Sequence, residues 1–268
     1  MTYIALDLSD LALAALLVLV NGALSLAFRL HLERQYLIAT ARMVVQLLLI
    51  GLVLTWLFGQ VSPLWTGLAA LAMVLFAGWE IMARQDRPLS GVWRYGLGTG
   101  CMMLAATLVT VLALTTAVTP EPWYHPRYAL PLLGMVLGNT MTGVSLGLQS
   151  LTNGLWRARA AVEAQLALGA TRQEATRPIA REALRAALMP IINAMAATGL
   201  VALPGMMTGQ ILAGVEPVEA VKYQILIMFL IAGGTGLGAV GAVLGGVQRL
   251  TDGRHRLRLD RLEPSKRS

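Results

Sequence analysis

The stretch WRARAAVEAQLALGATRQEATRPIAREALRAALMP, Trp156–Pro190, decides how this chain is read. It is a long polar interruption between apolar segments. Arg157, Arg159, Arg172, Arg177, Arg181 and Arg185 stand there against Glu163, Glu174 and Glu182. Ala160 to Leu168 are strong helix formers and predict a short helix. Gly169 marks its stop, because glycine adopts the left-handed cap conformation without a steric penalty. Thr171-Arg172-Gln173-Glu174 fits a capping box opening a second helix. Ala175, Ile179, Ala183 and Ala187 recur every fourth residue and share one face of it. Arg177, Arg181 and Arg185 share another. Like charges at that spacing repel in water, and anionic headgroups attract them. Pro178 should kink this helix or delay its start. Two readings follow: a docking surface for something in the cytoplasm, or a loop resting on the membrane.

The 268 residues are 56% hydrophobic and 13% charged, and the mean hydropathy is +0.66. Soluble domains carry about 25% charged residues. The expected fold class is therefore all-α, a polytopic membrane protein. At about 20 apolar residues per span, about seven spans are expected: 11–28, 37–58, 63–83, 95–118, 129–155, 187–213 and 221–247. The net charge of +7 sits in loops and tail, as topology requires, and does not point to nucleic acid. Arg29, Arg34, Arg84, Arg87, Arg94, the Trp156–Pro190 stretch and the tail fall on one side. Only Arg127 and Lys222 fall on the other. The N-terminus is then outside, and the C-terminus is inside with the polar stretch. The expected domains are a transmembrane part, 1–248, with its cytoplasmic region at 156–186, and a basic, poorly ordered cytoplasmic tail, 249–268. No cleavable signal peptide is expected. One cysteine, Cys101, excludes an intrachain disulfide.

Polar residues inside spans mark candidate path positions. Glu80, one turn before Arg84, is a cation ligand or half of an interfacial ion pair. In the fifth span Gly134, Gly138, Thr142, Ser145, Gln149 and Asn153 form a small and polar stripe, with Asn139 and Thr140 beside it. The stripe suits tight helix packing or the wall of a hydrated pathway. In the sixth, Pro204-Gly205 should break the helix, and freed carbonyls are tolerated only in protein or at a cavity. Met206, Met207, Thr208 and Gln210 follow. Thioethers favour soft metals, amide and hydroxyl oxygens harder ones; the alternative for the methionines is packing. His125 in the TPEPWYHPRY loop is a weak metal-ligand candidate. The metal ligands remain unknown. There is no G-x-x-x-x-G-K-[ST] loop, so no ATP hydrolysis by this chain is expected, and no hydrolase or zinc-protease motif.

Glu163-Ala164-Gln165-x-x-x-Gly169 resembles the E-A-A-x-x-x-G loop of ABC-transporter permeases, although Ile179 is followed by Ala180-Arg181 rather than the importer pattern. ARMVVQL (41–47), LPLLGMVLGNTMTGVSL (130–146), EAQLALGATRQEA (163–175) and LPGMMTGQILAGVEPVEAVKYQI (203–225) are similar to the FetB family of bacterial iron-export permeases. A related plant branch is tied to aluminium tolerance. The resemblance implies a homodimeric permease in the bacterial cytoplasmic membrane. Its partner would be an ABC ATPase of FetA type that carries ATP and Mg, and this chain itself would bind no cofactor. Iron efflux, with a role in oxidative-stress resistance, and contact with membrane lipid are implied too. Glu163, Ala164, Gly169, Ala170 and Arg172 would couple to the ATPase. The resemblance supplies no ligand residues; the candidate substrate path is the set of span residues read above, Glu80, Asn139, Thr142, Gln149, Met206, Met207 and Gln210. The rival expectations are an ion-coupled secondary transporter or channel without an ATPase, and a non-transporting scaffold.

Overall fold

A computed structural model describes residues 7–265 and divides the chain into one unit ending at Val61 and a second beginning at Ser62. The first unit is a helical hairpin, α1 (Leu8–Ala27) and α2 (Glu33–Gly59). Its turn is held by Ser25, whose hydroxyl donates to Glu33 Oε2 at 3.1 Å and accepts from the Leu32 N–H at 3.0 Å. Both helices expose almost wholly apolar surface, which suits hydrocarbon rather than water.

The second unit holds α3 (Pro63–Arg84), α4 (Trp93–Thr116), α5 (Pro126–Arg157), α6 (Arg159–Ala167), α7 (Arg172–Ala197), α8 (Gly205–Leu212) and α9 (Pro217–Leu250). Among the described residues six helices, α1 to α5 and α9, are long and apolar enough to cross a membrane. The expected span at 187–213 is not one helix. It is the apolar end of α7, a non-helical segment at 198–204, and the short α8. The break opens seven residues before Pro204, with Gly199 at φ +96°, and Pro204 caps the start of α8. Pro178 does not delay the start of α7, which begins six residues earlier and runs through both Pro178 and Pro190.

α5 is the hub, packed against α3, α4, α7 and α9. Small residues let the backbones approach. A Cβ on Gly143 would lie 2.6 Å from Thr235 Cγ2 and 3.2 Å from the Ala187 carbonyl oxygen, so α5, α7 and α9 meet there with no room for a side chain. One apolar cluster runs through the middle of the bundle, around Met102, Val136, Val144 and Ile227. A second, around Leu151, Leu155, Val162, Ala183 and Leu250, closes the end where α6 sits.

Candidate functional site

The polar stretch folds as an elbow at that end of the bundle. α5 stops at Arg157, and α6 starts after one junction residue, Ala158. Val162 is buried and anchors α6. The opposite side of α6 is exposed: Arg159 Nε donates to Glu163 Oε1 at 2.9 Å across one turn, and Ala164 lies beside it. Gly169 takes φ +94° and lets the chain reverse. The Ala170 N–H donates back to the Gln165 carbonyl at 3.0 Å. Leu168, at the tip, is 89% exposed, an apolar knob that the spacing argument did not single out.

α7 then starts with both halves of the capping box. The Glu174 N–H donates to Thr171 Oγ1, and the Thr171 N–H donates to Glu174 Oε2 at 2.8 Å. The Thr171 backbone N–H and hydroxyl, with a lesser contribution from His255 nearby, hold the Glu174 carboxyl below the usual carboxylate range. Ala175, Ala183 and Ala187 are buried and Ile179 half-buried, while Arg177, Arg181 and Arg185 are exposed. The face assignment read from the spacing holds.

The tail differs from its expectation. Residues 251–265 form an ordered strap, and 266–268 lie outside the described residues. The Arg258 N–H donates to the Leu250 carbonyl at 2.8 Å, the Ser90 N–H to the Arg261 carbonyl at 2.8 Å, and the Glu263 N–H to the Pro88 carbonyl at 2.9 Å. Arg94 and Glu263 form an ion pair at 2.7 Å, and the Ser265 hydroxyl donates to Asp86 Oδ1 at 2.8 Å. Leu259 is buried, and Leu257 and Leu262 pack beside it. That apolar content is why the basic tail does not stay in solvent. Arg258 donates twice to Asp260, at 2.9 and 2.8 Å, and holds its carboxyl down to about 2. A hollow of about 640 Å³ lies between the elbow residues Trp156, Arg159 and Glu163 and the strap residues Leu257, Leu259 and Glu263.

The candidate path residues are not gathered in one place. Glu80 is in the last turn of α3, 3.7 Å from Arg84 Nε, with a side chain 14% exposed, which is the ion-pair arrangement. Asn139, Thr142 and Gln149 share a face of α5. Asn139 Nδ2 donates to the Met135 carbonyl at 2.9 Å and Thr142 Oγ1 to the Gly138 carbonyl at 3.0 Å. Met206, Met207 and Gln210 are on α8, which packs on α9, and Gln210 Oε1 is buried without a hydrogen-bond donor. His125 caps α5, its Nδ1 accepting from the Arg127 N–H at 3.3 Å. Among the described residues no three His, Cys, Asp or Glu side chains cluster as a metal centre would require. Where α5 reaches the elbow, Gln149, Ser150, Asn153 and Arg157 line a groove of about 300 Å³ with Glu182 of α7. In the sequence Glu182 stands only among the charges of the elbow.

Apolar spans, a hub helix with an exposed polar face and a helix–turn–helix elbow at one end define a polytopic membrane protein. The chain belongs to the uncharacterised protein family UPF0014, whose model matches residues 8–251. It is 30% identical over 254 residues to the "Probable iron export permease protein FetB" of Escherichia coli, covering 95% of this chain and 96% of that one. It is 39% identical over 218 residues to the UPF0014 membrane protein STAR2 of Oryza sativa, covering 81% and 74%. It is also 35% identical over 223 residues to the protein ALUMINUM SENSITIVE 3 of Arabidopsis thaliana, covering 83% and 79%. No solved structure matches the chain.

Proposed function

We propose that this chain is the membrane-spanning subunit of an ATP-driven exporter that moves iron out of the cell and thereby aids resistance to oxidative stress. A separate ABC ATPase, carrying ATP and Mg, grips the elbow. The observation that carries this reading is the elbow itself. A rigid α6 anchored by Val162, a glycine reversal and a doubly capped α7 leave Glu163, Ala164 and Leu168 presented to solvent. A loop merely resting on the membrane needs neither that rigidity nor an exposed leucine at its tip. The near end-to-end similarity to a permease named for iron export supports the cargo.

Two copies pair, with the polar face of α5 turned inward. Asn139 and Gly138 are exposed on one chain, and amide groups facing hydrocarbon carry an energetic penalty that burial against a partner or a hydrated path removes. ATP binding closes the two ATPases, swings α6 as a lever and switches access along α5. That shift requires ATP to bind the two states with different affinity. The elbow and the strap lie on the cytoplasmic side of the inner membrane.

The test is replacement of Glu163 by Ala and Gly169 by Val, followed by co-purification with the ATPase and ATP-dependent efflux. Both quantities should fall; wild-type values for both remove the docking claim. Reconstitution with and without the ATPase separates this reading from an ion-coupled transporter, which would work alone.

A further inference from the structure

Nearly every acidic side chain at the elbow end has a partner. Glu163 is held by Arg159, Glu174 by Thr171, Asp252 by Arg256, Asp260 by Arg258 and Glu263 by Arg94. Glu182 is the exception: it is exposed and makes no ion pair among the described residues. It faces the groove that also holds Gln149, Ser150, Asn153 and Arg157.

The groove continues the polar face of α5, and that face has a chemical polarity. Asn139 and Thr142 both spend hydrogens on carbonyls of their own helix. What they leave unspent is the Asn139 side-chain oxygen with one amide N–H, and the Thr142 oxygen lone pairs. The oxygens among these suit a cation. The face ends at Gln149, Ser150 and Asn153, whose side chains each carry one more oxygen, and at a single carboxylate. Oxygen donors of this kind suit hard and borderline divalent ions. About 300 Å³ accommodates an ion with several waters, at about 30 Å³ per water.

We infer that Glu182, with the side-chain oxygens of Gln149, Ser150 and Asn153, forms the intake site at which a partly hydrated divalent cation enters the α5 path. Arg157 brings the empty groove near neutrality and competes for the carboxylate, so the ion is held weakly. A transport site must release what it captures. The inference rests on the exporter reading for its direction, not for its chemistry.

The test uses the purified full chain in detergent with Mn²⁺ as the probe, read by the loss of free-ion paramagnetic signal. Wild type should bind. Glu182→Gln should weaken binding at least about tenfold, the scale of losing a metal-site partner. Glu182→Asp should restore most of it, and Glu121→Gln, in the loop at the opposite end of the bundle, should leave it unchanged. Mn²⁺ binding by Glu182→Gln equal to wild type, or an equal loss in Glu121→Gln, overturns the site. A parallel efflux measurement with the ATPase keeps the two ideas apart. Efflux with an unaltered KM in Glu182→Gln removes the intake site and leaves the exporter. Binding through Glu182 without any ATP-dependent efflux removes the exporter and leaves the site.

Discussion

The imidazole of His255 accepts a hydrogen bond at 3.0 Å from the backbone N–H of Arg172, joining the strap to the first residue of α7 across 83 positions of sequence. That N–H is one of the donors a helix start leaves without an internal acceptor. Thr171 and Glu174 serve their own turn, and the strap serves the next. The elbow is thus fixed from two directions: through its capping box and through a segment already bonded to the α3–α4 loop.

His255→Ala should destabilise the fold by only about 1 kcal/mol, the typical net value of one hydrogen bond. Its local effect should be larger. Deuterium uptake should rise at 169–175 and 252–257 and stay constant along 130–150. Unchanged uptake at the elbow would show that the strap does not brace it.

Leu168→Ser should leave thermal stability within about 0.5 kcal/mol of wild type, because an exposed side chain away from packing contributes little. On the exporter reading proposed above, affinity for a partner ATPase should fall. Equal affinity in a pull-down would make the exposed knob incidental to docking.

Gly143→Val should destabilise by about 1–3 kcal/mol, the range for forcing atoms into a packed core, because the new side chain meets Thr235 and the Ala187 backbone. Gly100→Ala on α4 meets nothing within 4 Å and should match wild type or exceed it slightly, given alanine's better helix propensity. Thermal unfolding in detergent reads both. Equal melting temperatures would contradict the three-helix contact.

The strap should loosen only in strong acid. Arg258 holds Asp260 down from 3.8 to about 2, and the backbone N–H of Arg256, with its guanidinium and the Arg254 N–H, also lowers Asp252. Both folded values lie below the unfolded one. Their stabilisation is therefore complete above the ordinary aspartate range and is lost as pH falls through the folded values. A nitroxide at residue 254, in a Cys101→Ala and His255→Ala background that removes the imidazole acceptor, should keep constant mobility from about pH 8 to 5 and gain it between about pH 4 and 2. A transition near neutrality would assign the strap's hold to other groups.

The parts legible in the sequence are those with local causes. Gly169 and the Thr171–Glu174 pair announce a turn and a helix start through chemistry confined to four residues. Long apolar runs place α1 to α5 and α9 to within a few residues. The strap had a signal that the charge of the tail obscured. Leu257-Arg258-Leu259 alternates with period two, the pattern of a half-buried extended segment. The bond from Arg172 to His255 has no local signature at all. Glu182 was hidden differently: helical spacing groups it with its neighbours on α7, whereas its role depends on which residues of α5 lie across the groove.

The strap also counts crossings. It is bonded to the loop between α3 and α4 and to the start of α7, so Leu250 and Arg172 lie at the same face of the bilayer. A chain that departs from one face and returns to it has traversed the slab an even number of times. α9 is one traverse, so α7 with α8 must be the other, although composition alone does not mark α7 as a span. Its 26 residues reach about 39 Å at 1.5 Å each, enough for the journey. Arg172 then lies at the near face, and the gap at 198–204 opens toward the far side.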